Sequence, residues 1–386
     1  MTRLRRLAVT GALLWSGGCL LFVALNLLCA PWVPAEPDLR PDLSAWEPGA
    51  LARAYPGMAR ADVEALLAET WTRRLAFEPF THFRERPFTG RYVNVHEAGF
   101  RISAEQGPWP ADPAAFNVFV FGGSTAFGYG VGDGETFASH LARGLTALAP
   151  ARRPRVYNFA RGSYYSTQER VLFAELIQEG AAPAVALFLD GLNEFFYLRD
   201  EPAHSDRMRA ALEEDAPDLA AALRRAARAL PALRLIESLK PAAAPEAPEP
   251  EDRGGVGANR SGSNLERIVS RYVANKRLIE SAAREHGIAP VFVWQPIPMY
   301  RYEHRDADGP RPGLGSAERW RRRYEHVAER MRRGDLGSDF VWCADVAQGA
   351  PGPLYVDRVH YSGLMNRRIA EAVLAALAER RLLPAS

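Results

Sequence analysis

The chain has 386 residues, which is enough for one large domain or two small ones with a full hydrophobic core. An apolar content of 47% and a charged content of 24% are typical of an ordinary globular protein. The 48 basic and 46 acidic side chains give a net charge of +2, so the charge balance does not indicate a nucleic acid or an acidic surface as partner.

The N-terminal segment has the pattern of a membrane anchor. Arg3, Arg5 and Arg6 precede an uncharged, apolar run at 7–30. A helix of that length, at about 1.5 Å per residue, is roughly 36 Å long and crosses a bilayer with some tilt. The arginines predict a cytoplasmic N-terminus and an outward-facing remainder. A cleaved signal peptide, cut near 33–35, is the alternative, although its apolar stretch is usually only about 7–15 residues long.

The cysteines exclude a disulfide within the soluble part of the chain. Cys19 and Cys29 lie in the apolar run, which leaves Cys343 alone beyond it. We expect Cys343 to pack as a small apolar side chain. Since no group of Cys and His residues has the spacing of a zinc site, the sequence predicts neither a metal nor another cofactor.

Two segments of different composition follow the apolar run. Residues 31–48 contain five prolines and are typical of a tether that leads away from a membrane. Residues 50–110 mix a short helical pattern with aromatic and Gly/Pro-rich stretches, and their sequence indicates no function.

From residue 116 onward, short apolar runs alternate with helical patterns. The runs predict buried strands at 116–121, 155–159, 185–190, 290–294 and 340–343. The patterns between them predict helices at 136–148, 166–180, about 264–285 and 362–380. Ser166 and Glu169 have the spacing of a capping box, Gly180 and Gly287 are candidate C′ glycines, and Ser362 is a candidate N-cap. This alternation implies a parallel sheet that is covered on both faces.

One segment interrupts the alternation after the third predicted strand. Residues 202–240 show two amphipathic helical patterns, and 241–257 are rich in Pro, Ala, Glu and Gly. An insertion at this point lies at the carboxyl edge of the sheet, where the sites of α/β proteins form. It is either a lid over the site or a surface elaboration without a catalytic role.

A glycine-rich turn follows the first predicted strand. Residues 121–128 read Phe-Gly-Gly-Ser-Thr-Ala-Phe-Gly. A serine nucleophile must protrude from such a turn, with small neighbours that admit the substrate carbonyl and backbone N–H groups that bind its oxyanion. Ser124 meets these conditions. The alternative is a phosphate-binding or purely structural turn, but the segment lacks the Lys of a P-loop and does not match G-x-G-x-x-G.

His360 is the candidate base for Ser124. Asp357 stands three residues before it and can orient its ring. Among the other histidines, only His204 has an acidic residue, Glu201, at the same spacing, and that pair falls in the predicted insertion. Asp-x-x-His is a common pattern by chance, so it gains meaning only together with the other motifs.

Two further strand ends carry candidate oxyanion donors. Gly162 follows the second strand and offers a backbone N–H, and Asn193 follows the third and offers a side-chain amide. With the N–H of Ser124 they would form a three-donor oxyanion hole. A helix-entry glycine and a turn asparagine are the structural alternatives. Arg161 and Gln295 are candidate substrate contacts, and a surface charge is the alternative for Arg161.

In this order, the motifs resemble the four blocks of the SGNH (GDSL-like) hydrolase superfamily. The resemblance implies a flavodoxin-like three-layer α/β/α sandwich with a parallel sheet, and metal-free ester hydrolysis through an acyl-enzyme. It implies Ser124 as nucleophile, His360 as base and Asp357 as the residue that orients the base. It also implies Gly162 and Asn193, with the N–H of Ser124, as oxyanion donors.

Two positions depart from the family pattern. The first block reads Gly-Gly-Ser-Thr in place of Gly-Asp-Ser-Leu, and the third ends in Glu194 where Asp is usual. Neither change removes a catalytic group. Both resemble a bacterial, membrane-anchored branch that is often found with surface-polysaccharide assembly.

Three functions remain open on the sequence alone. The first is an esterase or deacetylase that removes small O-acyl groups, with a cell-envelope glycan as a candidate substrate. The second is an O-acyltransferase that acts on a surface polysaccharide with the same triad. The third is an inactive glycan-binding or scaffold protein, which would be expected to have lost Ser124 or His360. The expected partners are an acylated small molecule or glycan, the membrane and polysaccharide-assembly proteins, and not a nucleic acid.

These expectations divide the chain into a cytoplasmic tail at 1–6, a transmembrane signal-anchor at 7–30, and a tether with an N-terminal accessory region at 31–110. A hydrolase domain follows at 111–384, with the insertion at about 202–257. The expected location is the inner membrane, with the hydrolase domain on the periplasmic or other extracytoplasmic side.

Overall fold

A computed structural model describes residues 3–32, 40–205, 230–232, 235 and 258–383. The chain divides into two compact units. One consists of Met1–Leu39 and Asp206–Pro248, and the other of Arg40–Ser205 and Glu249–Ser386. Most of the predicted insertion at 202–257, and much of the predicted tether, lie outside the described residues.

The first unit contains the helix α1, Arg3–Cys29. Residues Val9–Trp32 are long and apolar enough to cross a membrane, with a mean hydropathy of 2.0. This confirms a candidate span close to the predicted 7–30. A signal sequence near an N-terminus meets the same criteria of length and composition, so both interpretations of the segment stand.

The second unit combines helices with short and long strands. Its helices are α2 Pro48–Ala54, α3 Arg60–Trp71, α4 Ser124–Phe127, α5 Phe137–Leu148, α6 Ser166–Gln178, α7 Ala258–Glu285, α8 Ala317–Arg332 and α9 Gly363–Glu379. Its strands are β1 Leu75–Glu78, β2 His82–Glu85, β3 Phe88–Thr89, β4 Asn94–Val95, β5 Asn117–Gly122, β6 Arg155–Asn158, β7 Val185–Asp190, β8 Ala289–Trp294 and β9 Phe340–Trp342. Short 3₁₀ turns lie at Leu43–Ala45, Asp133–Glu135, Pro150–Arg152, Asn193–Phe195 and Asp306–Asp308.

The central sheet has five parallel strands in the order β6-β5-β7-β8-β9. Counted along the chain from β5, this is the order 2-1-3-4-5 of flavodoxin-like folds. All five predicted strands are present within a residue or so of their predicted bounds. The predicted flavodoxin-like α/β fold is therefore confirmed.

Side chains alternate between two cores, one on each face of the sheet. On β5, Val118 and Val120 belong to one core, and Phe119 and Phe121 to the other. Successive side chains of a strand point to opposite faces, so both faces of the sheet are apolar and both are covered. The first core includes buried side chains of α5 and α9, and the second those of α6, α7 and α8.

The predicted capping box at the start of α6 is wrong. The N-cap residue is Tyr165, whose own side chain makes no capping hydrogen bond. Ser166 instead lies inside the helix, where its N–H donates to Glu194 Oε1 at 2.7 Å. Glu169 is fully buried and does not reach back to the helix start. A long-range hydrogen bond thus replaces the local cap that the spacing suggested.

The helix α8 was not predicted. Its sequence is dominated by Arg and Glu, which hid a narrow apolar stripe of Trp320, Tyr324 and Val327. These three side chains are buried at a spacing of three to four residues, as one face of a helix requires.

The region at 40–110 is packed into the second unit. Side chains of α2 and α3, among them Leu51, Val63 and Leu66, belong to the same core as Val118 and Val120. Beyond β4, the N–H of Arg101 donates to the carbonyl of Asn158 in β6 at 2.9 Å. This region therefore touches the sheet beside the ends of strands that carry the sequence motifs.

Candidate active site

Ser124 occupies the turn between β5 and α4. Gly122, the last residue of β5, has φ +150°, and a Cβ there would meet Ala126 Cβ at 2.6 Å and the Leu189 carbonyl at 2.8 Å. Only glycine fits this close approach. Ser124 is the first residue of α4, so its backbone N–H has no acceptor within the helix. The Ser124 side chain is half-buried, and its N–H is left available to a bound substrate.

The structure brings Asp357, His360 and Ser124 into one hydrogen-bonded line. His360 Nε2 lies 2.8 Å from Ser124 Oγ, and His360 Nδ1 lies 2.7 Å from Asp357 Oδ2. Asp357 Oδ1 also accepts the backbone N–H groups of Val359, at 2.9 Å, and of His360, at 2.8 Å. One turn before α9 therefore fixes the carboxylate and the imidazole together.

The electrostatic surroundings keep Asp357 ionised. Burial alone would raise the pKa of its carboxyl, but the charge of His360 and hydrogen bonds from His360 and Val359 lower this pKa below its ordinary value. An ionised carboxylate at Nδ1 holds the proton on that nitrogen. Nε2 is then a lone-pair acceptor for the proton of Ser124.

The two predicted oxyanion donors lie beside the nucleophile turn. Asn193 Nδ2 donates to the Tyr164 carbonyl at 2.7 Å and lies against Gly123, where any Cβ would clash with it. An amide NH₂ group has two N–H bonds, so one remains for a substrate oxygen. Gly162 is buried, and no described residue accepts a hydrogen bond from its N–H.

Arg161 does not lie at the surface. Its side chain is 2% exposed and is bonded to Glu78 and to Tyr164 Oη, the latter at 2.8 Å. The surface-charge interpretation is therefore wrong, because these partners enclose the guanidinium within the protein. A role in substrate contact finds no support in this placement.

Gln295 contacts the turn that carries Ser124. Its Oε1 accepts the Thr125 hydroxyl at 3.0 Å, and its N–H donates to the Asp190 carbonyl at 2.8 Å. The residue thus ties the end of β8 to the residue that follows Ser124. Its contact with a substrate stays a prediction.

The competing pair Glu201 and His204 lies elsewhere. The His204 ring packs edge-on against Phe83, with the ring centroids 5.3 Å apart. Of the two candidate histidines, the structure places His360 within hydrogen-bonding distance of Ser124.

Sequence reasoning missed Arg101, which holds the chain just after the nucleophile. Arg101 is fully buried, and its guanidinium donates to the carbonyls of Phe127 at 3.0 Å, Gly128 at 2.5 Å and Val131 at 2.6 Å. It also pairs with Asp133 at 3.0 Å. A lone arginine in an irregular segment gives no signal for such long-range contacts.

This arrangement has the parts that acyl transfer through a serine requires. They are a nucleophile bonded to a base, a carboxylate that orients the base, and N–H donors beside the nucleophile. In the part of the chain that the structure describes, no group of three or more His, Cys, Asp and Glu side chains is placed to hold a metal ion.

Comparison with known proteins finds similarity at the level of structure. No family model and no curated protein match the sequence. A protein described as a lipolytic protein of the G-D-S-L family, from Desulfitobacterium hafniense, matches with 12% identity and a TM-score of 0.37, covering 68% of this chain and 99% of its own. A lipase from a goat rumen metagenome matches with 12% identity and a TM-score of 0.39, and the match covers 68% of this chain and 97% of the lipase. A catalytic mutant of an acetylxylan esterase from Geobacillus stearothermophilus matches with 14% identity and a TM-score of 0.36, and the match covers 68% of this chain and 94% of the esterase. Matched structures thus include the family that the motifs resemble, but TM-scores this low assign no activity to the chain.

Proposed function

We propose that this chain is a serine esterase or deacetylase of the SGNH type, which removes small O-acyl groups through an acyl-enzyme. The observation that carries the proposal is the unbroken line from Asp357 Oδ2 through His360 to Ser124 Oγ, with distances of 2.7 and 2.8 Å. Such a line activates a serine hydroxyl as a nucleophile.

In the first half-reaction, Ser124 Oγ attacks the ester carbonyl carbon and His360 Nε2 takes the hydroxyl proton. The carbonyl oxygen becomes negatively charged and is bound by the N–H groups of Ser124 and Gly162 and the amide of Asn193. His360 then gives its proton to the leaving alcohol oxygen, and the acyl group stays on Ser124. Asp357 remains a carboxylate and stabilises the transient imidazolium.

In the second half-reaction, water attacks the acyl-enzyme. His360 takes a proton from the water, and the carboxylic acid leaves as Ser124 regains its hydrogen. An O-acyltransferase would share the first half-reaction and use a sugar hydroxyl in place of this water. An inactive glycan-binding or scaffold protein would carry out neither half-reaction.

We further propose an acylated glycan of the cell envelope as the substrate and the extracytoplasmic side of the inner membrane as the location. The apolar helix α1 and the arginines before it support this location. Proteins of polysaccharide assembly are the proposed partners.

Hydrolysis of p-nitrophenyl acetate by the detergent-solubilised full chain tests the proposed reaction. Ser124→Ala should lower kcat by about 10³-fold or more, because it removes the nucleophile. Ser281→Ala is a matched control, since this serine is exposed on α7 and its hydroxyl donates to the Arg277 carbonyl one turn earlier in the same helix.

Two outcomes separate the alternatives. Activity in Ser124→Ala comparable to that of the Ser281→Ala control would rule out the proposed mechanism. If adding a glycan hydroxyl acceptor diverts most of the acetyl group from acetate to the glycan, the chain is a transferase with the same nucleophile.

A further inference from the structure

The His360 ring is bonded at two nitrogen atoms, and these bonds do not by themselves fix the tilt of the ring plane. Nδ1 meets Asp357 and Nε2 meets Ser124 from opposite sides of the ring. The tilt matters because the Nε2 lone pair must point at the Ser124 proton during transfer. A rigid contact with the face of the ring is therefore expected at a site of this kind.

Two aromatic side chains, Tyr129 and Trp71, contact the His360 ring. The Tyr129 ring stacks on His360 with an interplanar angle of 24° and 5.4 Å between centroids. Trp71 meets the His360 ring edge-on at 76° and 5.3 Å. Trp71 also meets Tyr129 edge-on at 89° and 5.0 Å, so the three rings support each other.

The Tyr129 hydroxyl is fixed by a buried ion pair. Its hydroxyl donates to Glu85 Oε1 at 3.2 Å, and Glu85 Oε2 pairs with Arg73 at 3.5 Å. The Glu85 and Arg73 side chains are almost completely buried. Burial, followed by the charge of Glu85, raises the pKa of Tyr129, so the phenol keeps the proton that it donates. This chain of contacts leaves the Tyr129 ring little freedom to turn.

Tyr129 also reaches the proposed oxyanion hole. A Cβ at Gly162 would lie 2.6 Å from the Tyr129 hydroxyl oxygen, which explains why only glycine fits there. The Tyr129 N–H donates to the Ser124 carbonyl at 3.0 Å. One side chain thus spans the site from the base to the oxyanion glycine.

The Tyr129 ring also lies where it can stabilise the imidazolium that forms during the reaction. During attack His360 becomes an imidazolium, and its distance of 5.4 Å from the Tyr129 centroid is within the roughly 6 Å range of cation–π attraction. An interaction that is stronger in the transition state than in the ground state raises kcat.

We propose that Trp71 and Tyr129 are positioning residues that hold the His360 ring in the plane required for proton transfer. The inference rests on the proposed function, since it assigns these residues to the base of that reaction. It gives the region at 40–110 a role, because that region supplies Trp71, Arg73 and Glu85. The alternative is that both aromatic side chains contribute only to packing.

Matched substitutions in the full chain distinguish positioning from packing. Tyr129→Leu should lower kcat for p-nitrophenyl acetate about tenfold with little change in KM, because the ring face is lost. Tyr129→Phe keeps the ring but loses the hydrogen bond to Glu85, so its kcat should lie between those of Tyr129→Leu and the wild type. Trp71→Leu should lower kcat in the same way as Tyr129→Leu.

Trp109→Leu is the control for Trp71→Leu. Trp109 is also half-buried among aromatic rings, with Phe100 at 5.4 Å and Tyr157 at 5.6 Å, but it makes no ring contact with His360. It should lower the thermal stability without lowering kcat.

Equal losses of kcat in Trp71→Leu and Trp109→Leu would overturn the inference, and so would a wild-type kcat in Tyr129→Leu. If Tyr129→Leu does not fold, the comparison of the two tryptophan variants decides. A wild-type chain that neither hydrolyses the ester nor reacts with a serine-directed fluorophosphonate would instead refute the proposed function.

Discussion

The substitution Asp357→Asn keeps the shape of the side chain and reverses one hydrogen bond. Oδ1 of Asp357 accepts two backbone N–H groups, at 2.8 and 2.9 Å. The amide oxygen of the variant must therefore face these donors, because an NH₂ group there would meet two hydrogens. Its NH₂ group then faces His360 Nδ1, which has to act as an acceptor.

This forced orientation selects the wrong tautomer of His360. The ring proton moves to Nε2, so the lone pair that should receive the Ser124 proton is gone. In a serine protease, an Asp-to-Asn change with this effect costs about 10⁴ in turnover. We expect kcat to fall by about 10³ or more here, since the two backbone donors prevent the amide group from rotating by 180°.

Steady-state hydrolysis of p-nitrophenyl acetate measures the loss. Asp357 should stay ionised across the neutral and mildly alkaline range of the assay, because the charge of His360 and the hydrogen bonds from His360 and Val359 lower its pKa. His360→Ala should lose at least as much as Asp357→Asn. The double variant should be hardly worse than His360→Ala, because residues that act as one unit are not additive.

Glu201→Gln is the matched control, because Glu201 is the only other carboxylate that stands three residues before a histidine in the sequence. It should leave kcat unchanged. If Asp357→Asn retains more than about a tenth of wild-type activity, the tautomer argument is wrong. If Glu201→Gln is the damaging change, His204 is the base.

Three further predictions concern topology, metal dependence and stability. A reporter fused after Ser386 should be active only if it functions outside the cytoplasm, and activity of a cytoplasm-only reporter there would contradict the orientation inferred from the N-terminal arginines. Esterase activity should survive EDTA, because nucleophile and base are both side chains; a loss that zinc restores would point to another mechanism. Burial, and then the charge of Asp190, raises the pKa of Glu169 well above its ordinary value. The free energy of unfolding therefore falls as pH rises above about 4.3, because the carboxyl then ionises in the unfolded chain but stays protonated in the folded protein. Glu169→Gln should accordingly raise the free energy of unfolding at pH 8 by about 1 kcal/mol or more, and much less near pH 4. Equal stability of the two proteins at pH 8 in urea titrations would contradict this.

The strands and the order of the motifs could be predicted because their signals are local. A short apolar run between turn residues identifies a buried strand such as β7, and a glycine turn after β5 identifies the position of Ser124. Once the strands are parallel, their carboxyl ends share an edge, which brings Gly162 and Asn193 toward that serine.

The surroundings of the site could not be predicted because they depend on long-range contacts. Arg101 reaches three carbonyls after Ser124, and Glu85 reaches Tyr129, from a region without a clear secondary-structure pattern. The capping box failed for the same reason, since Glu194 competes for the Ser166 N–H. Burial of an arginine such as Arg161 likewise depends on a distant partner, Glu78.

Covalent labelling shows whether Ser124 is the nucleophile. The detergent-solubilised full chain is treated with a fluorophosphonate probe, digested, and mapped by mass spectrometry. We expect the probe on the peptide that contains Ser124, no label on that peptide in Ser124→Ala, and much slower labelling in His360→Ala. A label on a different serine, or hydrolysis of p-nitrophenyl acetate by a protein that the probe does not label, would contradict it.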